Sequence, residues 1–197
     1  MFAYCENRPV VAIDENGYRT YFLNGIMNPY EFSCPDYFIR FSKALGNHGI
    51  NDVKGIPVFK KQAQWSVGMI DVIDEMLNIG KDSDDALKII EADLAANPLT
   101  DGEQLNLIGY SGGGQVALNV AEKLNCQVDN VILIGAPTQE IFSGDYSVSM
   151  LYGAFDPLMS VGVGMDMYFA GWFGHEGYFT PTNVDSTAKI VASIIGG

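Results

Sequence analysis

From Leu105 to Leu124 the chain reads LNLIGYSGGGQVALNVAEKL: an apolar run, a turn of small residues, then an amphipathic stretch. Leu105–Tyr110 has the pattern of a strand buried on both faces between helix layers, and Val131–Ile134 repeats it. Val116, Leu118, Val120 and Ala121 give Gln115–Leu124 the apolar spacing of a helix. Strand and helix meet through one sharp turn. A chain built this way is expected to form an α/β fold around a mostly parallel sheet.

The other segments alternate in the same manner. Val10–Ile13 and Arg19–Leu23 are short β-prone runs around Asp14-Glu15-Asn16-Gly17, where Asn-Gly predicts a hairpin. Tyr37–Leu45 reads as a helix closed by Gly46, and Val53–Phe59 as a strand weakened by Gly55 and Pro57. Trp65–Ile79 carries Met69, Ile70, Ile73, Met76 and Leu77 at helical spacing. Asp84–Ala96 is a second clear helix, with Asp82 or Ser83 as its N-cap and Asn97-Pro98 as its stop. Strands over Val128–Ile134 and Val148–Tyr152 and a last helix over Ser186–Ile195 complete the series.

Gly109-Tyr110-Ser111-Gly112-Gly113 matches G-x-S-x-G at the junction of strand and helix. A serine on so tight a turn has a strained backbone and an Oγ pushed out above the sheet. Small residues two before and two after it keep strand and helix from clashing. The helix N-terminus adds partial positive charge, and the Gly112 N–H is a candidate donor to a developing oxyanion. A phosphate-binding turn would want a basic residue or G-x-G-x-x-G, and GYSGGGQVAL has neither.

A serine hydroxyl needs a base, and only His48 and His175 exist. The order expected along the chain is serine, acid, histidine. His175 lies 64 residues beyond Ser111, in Gly-His-Glu-Gly ahead of the last helix. His48 precedes the serine and reads as a surface turn residue. Asp156 follows the strand Val148–Tyr152 directly, which puts it at the carboxyl edge of a parallel sheet with the serine. Asp166 is the competing acid; Asp129 begins a strand and Asp145 precedes one, the wrong edge for both. A second oxyanion donor is expected in the loop after Tyr21–Leu23, from Gly25 or Ile26, with the Asn24 amide assisting. An ordinary strand-ending turn is the plainer reading of that loop.

Taken in order, FLNG (22–25), GYSGGG (109–114), ILIGAP (132–137), GAFDPL (153–158) and GHEGYF (174–179) resemble the α/β-hydrolase superfamily, and more loosely its lipase and esterase branches. The resemblance runs from about Tyr21 to the C-terminus. It implies one α/β-hydrolase domain over residues 1–197, with a mostly parallel sheet flanked by helices and little or no cap. It also implies a serine hydrolase working through Ser111, Asp156 and His175, with no cofactor. The oxyanion loop departs from the family in carrying Asn-Gly where lipases commonly have His-Gly.

Leu158–Phe173 joins the two candidate loops and is rich in Met, Phe and Trp. It reads either as the lining or lid of an acyl pocket or as a helix packed on the core. Tyr110 beside the serine, and Met159 and Phe173 in this segment, are the candidate substrate contacts. The expected substrate is a small-molecule or lipid-like acyl ester. Acyltransfer, thioester cleavage and a noncatalytic binding module on the same fold are the alternatives.

Charge narrows the partners. With 24 acidic against 11 basic side chains the net charge is −13, which repels phosphate backbones and argues against nucleic acid. No run approaches the roughly 20 apolar residues of a membrane span. The first residues lack a basic n-region and a long h-region, so a cytoplasmic location is expected. Three cysteines, Cys5, Cys34 and Cys126, without CxxC spacing read as free thiols, with a Cys5–Cys34 bridge as the alternative. With two histidines lacking close Cys or His partners, no metal site is expected.

Overall fold

Parallel pairing joins every strand seen, and helices cover both faces of the resulting sheet. A computed structural model describes residues 17–25, 36–58, 81–138, 144–158 and 164–197. In chain order the elements are β1 (Tyr18–Leu23), α1 (Asp36–Asn47), β2 (Asp52–Ile56), α2 (Lys81–Ala96), β3 (Gln104–Tyr110) and α3 (Gly113–Lys123). They are followed by β4 (Asn130–Ile134), β5 (Ser147–Gly153), β6 (Asp166–Gly171), a 3₁₀ turn at His175–Phe179 and α4 (Val184–Ile195). The strands form one sheet in the order β2-β1-β3-β4-β5-β6. Each neighbouring pair is parallel.

Alternation along the strands sorts their side chains into two cores. Tyr21, Leu107, Val131, Leu133 and Met150 face α2 and α3. Phe22, Ile108, Ile132, Ile134 and Leu151 face α1 and α4, joined there by Tyr178 and Phe179. A parallel sheet with both faces covered needs strands apolar on both sides, which is why β3 and β4 could be read from sequence.

Several boundaries differ from expectation, each for a physical reason. The first helix runs through Gly46 to Asn47, and Gly49, at φ +93°, makes the left-handed turn that ends it. The second helix starts at Lys81, so Asp82 and Ser83 lie inside its first turn. There the buried Ser83 hydroxyl accepts from Asn119 Nδ2 of α3 at 3.3 Å. The third starts at Gly113 rather than Gln115 because its first turn is wedged against two neighbours. A Cβ on Gly113 would overlap the Leu23 and Asn24 carbonyl oxygens, and one on Gly114 would overlap the Ala136 methyl.

The largest departure is β6. Within the segment read as an acyl-pocket lining or a core helix, Asp166–Gly171 is instead the edge strand of the sheet. Tyr168 and Ala170 pack toward α4, while Met167 and Phe169 are exposed on the other face. The expected Val10–Ile13 strand and the Trp65–Ile79 helix lie outside the described residues. The expected hairpin with Arg19–Leu23 does not form, because β1 is paired in parallel with β2 on one edge and β3 on the other, which leaves no edge for an antiparallel partner.

Candidate functional site

β3 ends in the G-x-S-x-G turn, and the turn is tied to the next strand: Ser111 N–H donates to the Ile134 carbonyl at 3.0 Å. Ser111 has φ +53°, the sole non-glycine residue at positive φ among those described. An L-residue is held there only when its surroundings over-determine it. They do so here through the glycines. A Cβ at Gly109 would overlap Gly114 Cα and the Gly113 carbonyl, so any larger residue would push α3 off the strand. Gly112 is the N-cap of α3, placing its peptide at the positive end of that helix.

The loop leaving β1 lies against the serine. A Cβ on Gly25 would sit 2.7 Å from Ser111 Cβ and 3.3 Å from Ser111 Oγ. Asn24, fully buried, holds this loop: its Nδ2 donates to the Gly25 carbonyl at 3.0 Å, and its Oδ1 accepts from the Val58 N–H at 2.8 Å. Its amide thus serves the loop's shape. Ile26, the other expected oxyanion donor, lies outside the described residues, as does Met159.

The loops after β5 and β6 bring together the acid and base expected from sequence. His175 Nδ1 is 3.1 Å from both oxygens of Asp156. The Asp156 side chain has no solvent exposure, while His175 keeps 21% of its own. Burial pushes the Asp156 pKa up, but hydrogen bonds from His175, from Tyr178 and from the Leu158 N–H outweigh it and hold the carboxyl below the usual range. With Nδ1 turned to the carboxylate, Nε2 is the ring nitrogen left for other work. The competing acid, Asp166, opens β6 opposite Ser149 and is exposed. It stands at the amino end of a parallel strand, roughly 16 Å of strand away from the carboxyl edge.

Tyr110, expected to touch substrate, is buried and stacked on His175, with ring centroids 5.0 Å apart and planes 17° apart. Its hydroxyl donates to the His175 carbonyl at 3.0 Å. Burial first, then the negative charges of Asp156 and Glu176, push this phenol's pKa well up, so it stays neutral. Phe173 is half-buried and packs edge-on against Tyr178 at 5.0 Å. Among the described residues no hydrogen bond links Ser111 Oγ to His175; in sites without substrate such bonds are often long and tighten on binding. No group of three His, Cys, Asp or Glu side chains able to hold a metal occurs among the described residues.

Two residues of this site were missed in the sequence. Tyr178 donates its hydroxyl proton to Asp156 Oδ2 at 2.7 Å. Gly135, at φ +52°, leaves the space in which they meet, since a Cβ there would overlap Asp156 Oδ2 and lie 2.8 Å from Tyr178 Cε2. The available signal was a glycine immediately after the apolar run Val131–Ile134.

A third group is exposed. Phe155 and Trp172, 67% and 76% exposed, have ring centroids 6.1 Å apart, and Phe169 meets Trp172 edge-on at 5.5 Å. Phe155 precedes Asp156 directly, and its N–H donates to the Phe173 carbonyl at 3.2 Å, tying the acid loop to the histidine loop.

This architecture recurs in solved structures. A predicted CIB-like hydrolase from Thermoplasma acidophilum superimposes with a TM-score of 0.60 at 17% identity, over 93% of this chain and 88% of that one. A hydrolase of the α/β superfamily from Xanthomonas campestris does so with 0.52 at 14% identity, over 91% and 98%. Trichoderma reesei cutinase, in complex with a phosphonate inhibitor, gives 0.56 at 18% identity, over 90% and 74%. No protein-family model matches the sequence, and no curated protein is recognisably similar to it. Likeness at these identities establishes the fold. The chain has the α/β-hydrolase fold, with a serine, an aspartate and a histidine on its carboxyl edge in that order.

Proposed function

We propose that the protein is a serine hydrolase that cleaves carboxylic esters through Ser111, His175 and Asp156. One observation carries the reading: the positive-φ serine and the Asp156–His175 contact lie at the same edge of one parallel sheet. Backbone strain of the kind a left-handed serine carries collects at functional sites.

The chemistry follows from the geometry. His175 Nε2 takes the proton of Ser111 Oγ as that oxygen bonds to the ester carbonyl carbon. The Gly112 N–H and a donor in the Gly25 loop hold the oxyanion. Collapse breaks the bond to the leaving oxygen, which receives the proton from His175. Water then gives a proton to His175 while its oxygen attacks the acyl carbon. A second collapse releases the acid and returns the proton to Ser111. Asp156 stays ionised throughout and stabilises the charged imidazole.

The exposed rings of Phe155, Phe169 and Trp172 beside the acid loop support an apolar acyl or alkyl group in the substrate. Tyr110 stacks on His175 and Phe173 packs on Tyr178, so both shape the walls around the acid and histidine loops. Thioesters react through the same steps, so they belong in the same assay. The test is hydrolysis of p-nitrophenyl esters of graded chain length, with an acyl thioester alongside. Turnover by wild type and its loss in Ser111→Ala are expected. Equal rates for the two proteins would contradict the proposal.

A further inference from the structure

Asp156 is the base of a buried hydrogen-bond chain that a serine, a histidine and an acid do not by themselves require. Gly153 N–H donates to the Tyr178 hydroxyl at 2.8 Å, and that hydroxyl lies 2.7 Å from Asp156 Oδ2. A phenol has one proton to give. Because the Gly153 amide can only donate, the Tyr178 proton is directed to the carboxylate. The other oxygen, Oδ1, accepts from the Leu158 N–H at 2.9 Å. The Tyr178 ring is packed by Phe173, Phe179 and Tyr110, contacts that a phenylalanine would make equally well. Its hydroxyl is therefore surplus to packing, and Gly135 keeps open the space in which hydroxyl and carboxylate meet.

We propose that Tyr178 is a positioning residue, whose hydroxyl fixes the Asp156 carboxylate so that both of its oxygens face His175 Nδ1. The inference rests on the Ser-His-Asp reading above. A carboxylate with one oxygen pinned by Tyr178 and the other by Leu158 cannot rotate about its terminal bond. The imidazole bonded to it is then held in one tautomer and one orientation. The titratable groups bearing on the carboxylate are His175, Tyr178 and Tyr110, with Glu176 acting on Tyr110. Removing the Tyr178 donor leaves a more basic carboxylate, a stronger partner for protonated His175.

The experiment compares wild type, Tyr178→Phe and a protein with 3-fluorotyrosine placed at position 178, all as full chains. Wild type is first tested for fluorophosphonate labelling at Ser111; failure there would remove the Ser-His-Asp reading itself, whatever Tyr178 does. With labelling in place, Tyr178→Phe is expected to lower kcat by about ten- to a hundredfold, the range of a hydrogen bond to a charged group. KM stays unchanged, and the acidic limb of the pH profile moves upward. The fluorinated phenol, a stronger donor of nearly the same shape, moves that limb the opposite way, and it keeps the test open should Tyr178→Phe fold poorly. An unshifted acidic limb in both variants would overturn the proposal, even if activity fell with stability.

Discussion

Ser111 and Asp156 are held in place by different physical means. The serine stores backbone strain, at φ +53°, which neighbouring glycines enforce. The aspartate is buried and compensated: three donors satisfy its two oxygens. A carboxyl whose folded pKa lies below its unfolded value contributes stability above the unfolded pKa, and that contribution is lost as pH falls through the folded pKa. Burial opposes this for Asp156, but the bonds from His175, Tyr178 and Leu158 prevail, so the sign holds. Thermal unfolding of wild type should therefore lose stability as the pH drops below about 4, and Asp156→Asn should lose less over the same range. Asp93, also held low by Lys54 and Tyr21 against its burial, is present in both proteins and cancels from the comparison. Identical slopes would mean that Asp156 is not an ionised, hydrogen-bonded carboxylate.

At the scale of elements, the elbow was legible because strand, turn and helix are contiguous in sequence. Each carries its own local signal: apolar residues on both faces, small residues at the turn, apolar residues at helical spacing. The acid and histidine loops were legible through order alone, each falling just where a strand ends or a helix begins. β6 was not. Its run Asp-Met-Tyr-Phe-Ala-Gly is apolar on the face toward α4 and apolar again on the exposed face, so no alternation marks it. Tyr178 was hidden for a different reason: its contact with Asp156 is made only when the loops after β5 and β6 come together beside the end of β4, a relation no local pattern encodes. The wedge between α3 and the β1 loop makes a prediction at this scale. Gly113→Ala forces a methyl onto the Leu23 and Asn24 carbonyl oxygens, and an overpacked site of that kind costs about 1–3 kcal/mol. Urea unfolding should show the unfolding free energy fall by that amount, through a lower midpoint at an unchanged m-value; an unaltered midpoint would show that α3 is free to move.

The whole molecule is dominated by one sign of charge. At −13 over 197 residues, self-repulsion opposes compaction wherever acidic groups lack a basic partner. Among the described residues the better-buried pairs are Arg19 with Glu103 at 2.9 Å and Asp52 at 3.2 Å, and Lys54 with Asp93 at 2.8 Å; Lys88–Asp85 and Lys123–Asp84 are more exposed. The Arg19 and Lys54 pairs are largely buried and weakly screened, whereas repulsion across the surface is screened within about 10 Å at 0.1 M salt. Added sodium chloride between about 10 and 200 mM should therefore raise the thermal midpoint. A falling midpoint would mean that attractive surface pairs outweigh the repulsion.

All of these features converge on whether Ser111 is an activated nucleophile. The direct measurement is covalent labelling by a fluorophosphonate probe, with the modified residue located by peptide mapping and a known serine hydrolase run alongside. Wild type should be modified at Ser111, Ser111→Ala should not react, and His175→Ala should react far more slowly because no base remains to take the proton. An unmodified wild type beside a reacting control, or modification at another residue, would contradict a catalytic Ser111.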